Sequence, residues 1–291
     1  MIIFTGLRSL SVKELQVSLH KHIADLSGQT SPLLPVPVFT LISGGKHGGN
    51  NLAIQEIMIL PVGSNTFEEA LQMGSETYHH LKAVITETYG AHGCNVGEDG
   101  GFTPNISRQV LTLRDGLDLV QKAIGRTGYN EKIKIAIGVA ATEFCIGTKY
   151  DLDFKTPNKS GQNFKSGQDM IDMYKELCAD YPIVSIEDPF DKEDWEHVKY
   201  FSSLGICQVV GGDLIMSNPK RIERAIQENS CNALLLKVPT DICWYSASFF
   251  ETNFCPWSAP HWSSCTSRPL SLYPEREMVI IQEREVPGSD C

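Results

Sequence analysis

Residues 183–238, IVSIEDPFDKEDWEHVKYFSSLGICQVVGGDLIMSNPKRIERAIQENSCNALLLKV, decide the fold. They contain three apolar runs, IVSIED (183–188), CQVVGGD (207–213) and ALLLKV (233–238), that are continuous and do not alternate with polar residues. Such runs read as strands buried on both faces, the habit of a parallel sheet covered by helices. The stretches between them, 195–204 and 219–227, carry the spacing of amphipathic helices. Strand and helix in alternation is an α/β pattern. The strands end in polar or charged residues, and a (β/α) barrel builds its site at that end of its strands.

Working outward, VPVFTLIS (36–43), EIMILPV (56–62) and IKIAIGVA (133–140) read as three more strands. Ala70, Leu71, Met73, Tyr78, Leu81, Val84 and Ile85 recur at helical spacing within 67–89, and helices are also expected over 110–124 and 167–178. A glycine-rich loop, NVGEDGGFTPN, occupies 95–105. Six strands fall short of the eight of a closed barrel. They would leave two edges with unpaired hydrogen-bonding groups, a hazard for aggregation. The expected division is a lead-in at 1–34, a barrel-type domain at 35–238 and a divergent tail at 239–291. That tail has no lysine but three of the four tryptophans (Trp244, Trp257, Trp262), and no helix or strand period is evident, so it is expected to be irregular.

The chain has 42% hydrophobic and 21% charged residues, the balance of a globular protein with a sizeable core. A formal net charge of −10 argues against general nucleic-acid binding, which needs basic patches. No stretch approaches the roughly 20 apolar residues that span a bilayer. The nine cysteines are scattered without a C-x-x-C pair, which suits reduced thiols in a cytoplasmic protein.

Several segments, in order, closely resemble enolases: SGGKHGGNNLAIQEIMILPVG (43–63), NVGEDGGFTPN (95–105), KYDLDFK (149–155), VSIEDPFD (184–191), SNPKRI (217–222) and LLLKV (234–238), with HIADLSG (22–28) in the lead-in. The resemblance covers roughly 11–238. It implies an enolase-type (β/α) TIM-like barrel, incomplete at about six strands and without the family's small N-terminal α+β domain. It also implies Mg²⁺ as cofactor and the dehydration of 2-phosphoglycerate to phosphoenolpyruvate in the cytoplasm. The partners it implies are these substrates and a second subunit, in a homodimer or in a heterodimer with an intact enolase; no nucleic acid and no membrane are expected.

Residue by residue, Lys237 matches the family's base. Taking a proton from the carbon beside a carboxylate places a second negative charge on it, and sites of the enolase superfamily pair a Lys or His base with Mg²⁺ for that reason. A lysine merely snorkelling at a strand end is the plain alternative. Glu56 matches a second catalytic carboxylate and His47 a substrate-side histidine, though each alone is more often structural. Asp99 matches the Glu that helps expel the hydroxyl, one methylene shorter, and Glu98-Asp99 alone reads equally as an acidic turn tip. Glu187 matches one of three carboxylates that hold Mg²⁺, and the other two positions are Gly138 and Gly212. Rescue by the neighbours Asp188 and Asp213 would need a bulge, because adjacent strand residues face opposite ways. Beyond Val238 the family's His-Arg-Ser run and second lysine have no counterpart, and nothing places His261 or Arg268. Two readings follow: an enolase with Lys237 as base, or a catalytically dead relative acting by binding.

Overall fold

The computed structural model describes Lys21 and residues 34–97, 99–104, 112–156, 161–162, 164–236 and 279–281. Among the described residues the main sheet has seven strands: β1 (Phe39–Ser43), β2 (Glu56–Leu60), β3 (Lys134–Gly138), β7 (Ile183–Glu187), β8 (Gln208–Gly211), β9 (Ala233–Leu236) and β10 (Val279–Ile281), in that spatial order. A small second sheet joins β4 (Cys145–Ile146), β5 (Lys149–Asp151) and β6 (Phe164–Lys165). The helices that lie wholly within the described residues are α1 (Phe67–Tyr89), α2 (Leu113–Thr127), α3 (Gly167–Asp180), α4 (Trp195–Ser203) and α5 (Pro219–Glu228).

The six strands expected from the sequence are present, and β3, β7, β8 and β9 are parallel neighbours. The first two pairings differ from a uniform (β/α) repeat, since β1–β2 and β2–β3 are antiparallel. Helix number gives the reason. The link from Ser43 to Glu56 contains only the short 3-10 turn Gly45–His47 and no α-helix; a parallel return usually runs through a crossover helix, and without one the chain turns back beside β1. Two helices, not one, then separate β2 from β3. An even number returns the chain to the end of the sheet it left, and the loop between them lands at the other end, beside the start of β2.

Helix ends follow the local chemistry. Thr112 and Asp115 form a reciprocal capping box that starts α2 at Leu113, three residues later than periodicity alone suggests, and α2 runs on to Thr127. Ser166 and Asp169 do the same for α3. Asn218 caps α5 with Pro219 in its first turn, and Asn229 ends it in a left-handed conformation. In the stretch read from sequence as irregular, Val279–Ile281 is a strand parallel to β9; the rest of 237–291, like Lys237 itself, lies outside the described residues. The sheet is open: among the described residues β1 and β10 end it without pairing to each other.

Both faces of the sheet are buried, as the continuous apolar runs require. Ile57, Ile59, Ile135, Ile137 and Val209 join the main core with the helices. Met58, Leu60 and Ala136 form one cluster on the opposite face, and Val210, Ala233 and Leu235 another. The helices approach closely where small residues allow it. At Gly74 of α1, an added Cβ would lie 2.5 Å from the ring of Phe39 on β1. Gly74→Ala is therefore expected to lower stability by about 1–2 kcal/mol, overpacking outweighing the gain in helix propensity, with recovery in Gly74→Ala/Phe39→Leu. Thermal unfolding followed by circular dichroism checks this, and a Gly74→Ala protein more stable than wild type would contradict the close approach. Among the described residues no helix is long and apolar enough to cross a membrane.

Candidate active site

Strand register lines up the candidate residues at one end of the sheet. Ser43 pairs with Glu56, Glu56 with Gly138, and Gly138 with Glu187. Glu187 is opposite Val210 in β8, two residues before Gly212. Because side chains alternate along a strand, Glu56 shares the face of Met58 and Leu60, and Gly138 that of Ala136. Neighbouring strands are about 4.8 Å apart, so the backbones carrying Glu56 and Glu187 flank β3 at a separation of about 10 Å. Glu56, Glu187 and the two glycines therefore share one rim.

Asp99 reaches the same rim from the loop between α1 and α2. Its Oδ1 accepts from the Ser43 hydroxyl in a very short contact and from the Gly101 N–H at 3.1 Å. Its Oδ2 is buried and has no hydrogen-bond partner among the described residues. The loop is anchored on β1 by backbone bonds: Ser43 N–H donates to Phe102 O at 2.9 Å, and Phe102 N–H to Leu41 O at 2.8 Å. Tyr78 stacks on Phe102 at 4.4 Å and donates its hydroxyl to Gly100 O, fixing the loop against α1. Glu98 lies outside the described residues.

His47 is half-buried at the end of the 3-10 turn Gly45–His47. Gly44 N–H donates to Gln55 O at 2.7 Å and the Asn50 amide to Ser43 O at 2.8 Å, so this loop is tied to the rim beside Glu56. Lys155, within the KYDLDFK segment, clamps it from outside by donating to Gly45 O and, at 2.8 Å, to Gly48 O. Burial pulls the Lys155 ammonium below its usual range, opposed by the charge of Glu143. Lys155, Asn50 and Ser43 have no role that can be assigned from sequence alone. All three stand inside motifs of the resemblance, Lys155 in 149–155 and Ser43 and Asn50 in 43–63, but the resemblance assigns none of them a role.

The metal side of the rim is different. At Gly138 an added Cβ would make ordinary contacts, 3.4 Å to Glu56 Cβ and 3.5 Å to Met58 Cε. At Gly212 it would lie 2.6 Å from Asp188 Oδ2 and 3.1 Å from Glu187 Oε1. Asp188 has left the strand conformation, with φ +44°, and its side chain is committed to the backbone that follows β8. Oδ1 accepts from the N–H groups of Gly212 at 2.9 Å and Leu214 at 3.2 Å, and Oδ2 from Asp213 at 2.6 Å. Burial raises its carboxyl to about 6, the three N–H donors working against that and the Asp213 charge adding to it. Asp188 therefore does not stand in for a lost ligand; it holds the turn.

Mg²⁺ takes near-octahedral oxygen ligands, and carboxylates supply most of a protein's hold on it. Two of the three family positions are glycines with no side-chain donor, and the adjacent carboxylate of Asp188 is taken by amides. Among the described residues no group of three or more His, Cys, Asp or Glu side chains is arranged to hold a metal ion. The residues present do not fit an Mg²⁺ site of the family's kind.

A family model described as "Enolase, C-terminal TIM barrel domain" matches residues 31–248. The chain is 74% identical over 225 residues to cytosolic enolase 3 of Arabidopsis thaliana, covering 77% of this chain and 46% of that protein. It is 52% identical over 225 residues to enolase 2 of Hevea brasiliensis, covering 76% of this chain and 50% of that protein. The chain thus spans about half the length of the curated relatives it matches. A match over this much of the chain, on a fold whose rim carries Glu56 and Glu187 on strands that flank Gly138, makes the chain a member of the enolase family through its C-terminal barrel domain.

Proposed function

We propose that this chain keeps the acid side of the enolase site and has lost its metal side, so that it holds 2-phosphoglycerate or phosphoenolpyruvate without the family's Mg²⁺-dependent dehydration. The observation that carries this is the pair of glycines, Gly138 and Gly212, at rim positions flanking Glu187. Abstraction of a proton beside a carboxylate builds a dianionic intermediate, and without cationic stabilisation its cost falls on the transition state alone. Lys237 by itself supplies one positive charge where the family's chemistry relies on divalent ions as well.

The second reading, residual enolase activity with Lys237 as base and Asp99 and Glu56 on the acid side, is favoured by one observation: Asp99 is held by two donors with one oxygen uncommitted. A carboxyl held in a fixed direction is what general-acid chemistry needs. On either reading the protein works in the cytosol, as the name of its Arabidopsis relative states for that protein. Its partner is a second barrel, its own or that of an intact enolase.

The purified chain with 2-phosphoglycerate and Mg²⁺, beside its Lys237→Ala variant, separates the two readings. Equal and negligible formation of phosphoenolpyruvate in both is the expected result. Turnover that disappears in Lys237→Ala would overturn the non-catalytic reading.

A further inference from the structure

We infer that Ser43 is the residue that positions Asp99 for a hydroxyl-bearing ligand at the rim, an inference that rests on the ligand-binding reading above. Ser43 is fully buried, at the C-terminal end of β1. It connects the strand and the two loops that carry the acid side. It is the register partner of Glu56. Its carbonyl accepts from Asn50 in the loop that carries His47. Its N–H is bonded to Phe102 O in the loop that carries Asp99, and its hydroxyl is bonded to Asp99 Oδ1.

The two oxygens of Asp99 are treated unequally. Oδ1 receives two donors, from Ser43 and Gly101, which fixes the plane of the carboxyl group. Oδ2 is left buried with none among the described residues. Buried carboxylate oxygens are ordinarily paired, and one that is not calls for an explanation such as a ligand donor. A ligand hydroxyl can donate to such an oxygen; 2-phosphoglycerate carries one, and phosphoenolpyruvate does not. The loop is also shaped to Ser43. An added Cβ at Gly101 would collide with the Ser43 hydroxyl, and one at Gly97 would come within 3.0 Å of Ser43 Cβ.

The experiment compares wild type, Ser43→Ala, Ser43→Thr and Asp99→Asn, all checked for folding by thermal unfolding. Affinities for 2-phosphoglycerate and phosphoenolpyruvate are measured by calorimetry in Mg²⁺-free buffer. Wild type is expected to prefer 2-phosphoglycerate; Ser43→Ala should lose about 5–10-fold of that preference, the cost of one misdirected hydrogen bond, and Ser43→Thr, which keeps the hydroxyl, should retain it. A folded Ser43→Ala protein with the wild-type preference overturns the inference. Hydrogen exchange at the Gly101 amide in the ligand-free protein tests the positioning role without reference to binding. Exchange about ten times faster in Ser43→Ala but not in Ser43→Thr supports that role, and equal rates in all three overturn it. If wild type binds neither ligand while Gly101 exchange still responds to Ser43, the ligand-binding reading fails and the Ser43–Asp99 coupling stands.

Discussion

Asp188→Ala is expected to cost about 3 kcal/mol of stability, a large part of what a domain of this size has to lose. The carboxylate is buried and accepts from three successive backbone N–H groups, those of Gly212, Asp213 and Leu214. Those amides sit where β8 gives way to the turn before α5. Truncation strands all three, and a stranded buried donor costs roughly 1–3 kcal/mol. The sum is reduced because alanine also removes a carboxyl that burial already penalises. Asp188→Asn should lose less, about 1–2 kcal/mol, since one amide oxygen still serves two of the donors while the amide nitrogen faces the third. Urea denaturation ranks the three proteins, and the order wild type, Asn, Ala is the expected one. If Ala and Asn were both as stable as wild type, Asp188 would not be holding the turn and its place beside Gly212 would need another account.

That role could not be read from the sequence, where Asp188 is simply the residue after Glu187. It depends on a positive φ at a non-glycine residue, which swings the side chain out of strand alternation and onto the next strand's end. The strands themselves were legible, because a strand buried on both faces reads as a mostly continuous apolar run, and 183–188, 207–213 and 233–238 are such runs with polar residues gathered at their ends. The direction of β2 was not. Hydrophobic pattern is blind to strand polarity, and only counting a loop without an α-helix on one side and two helices on the other fixes it. Glu56 shows the consequence: it opens β2, yet lies in register with Gly138 at the close of β3. At the acid side, Asp99 was recognisable by resemblance, but its partner Ser43 reads as one more small residue in an apolar strand end. Lys237, the residue on which the catalytic reading leans most, is placed only by resemblance.

Restoring the metal ligands is expected to be lopsided. Gly138→Asp should fold with stability close to wild type, because its Cβ meets only ordinary contacts and the new carboxylate enters from β3 between Glu56 and Glu187. Gly212→Asp without metal should lose about 1–3 kcal/mol, the range for overpacking. Its Cβ must push aside Asp188 Oδ2, on a carboxylate that three amides hold in place, and it adds a third carboxylate next to Glu187 and Asp188. The double variant, with Glu187, then has three carboxylates converging on one point, and like charges in a semi-buried rim repel until a cation arrives. Millimolar Mg²⁺ should therefore raise its stability by about 2–3 kcal/mol if the ion is near 100 times its dissociation constant. Neither single variant nor wild type should gain comparably. Thermal unfolding with and without Mg²⁺, with Ca²⁺ as a second hard cation and K⁺ for ionic strength, separates site binding from screening. A wild-type protein stabilised by Mg²⁺ as strongly as the double variant would mean that Glu187 recruits other donors, and the non-catalytic reading would lose its main support. A double variant that ignores Mg²⁺ would mean that the rim, once deprived of two ligands, has closed around Asp188 and no longer holds the geometry that two carboxylates could complete.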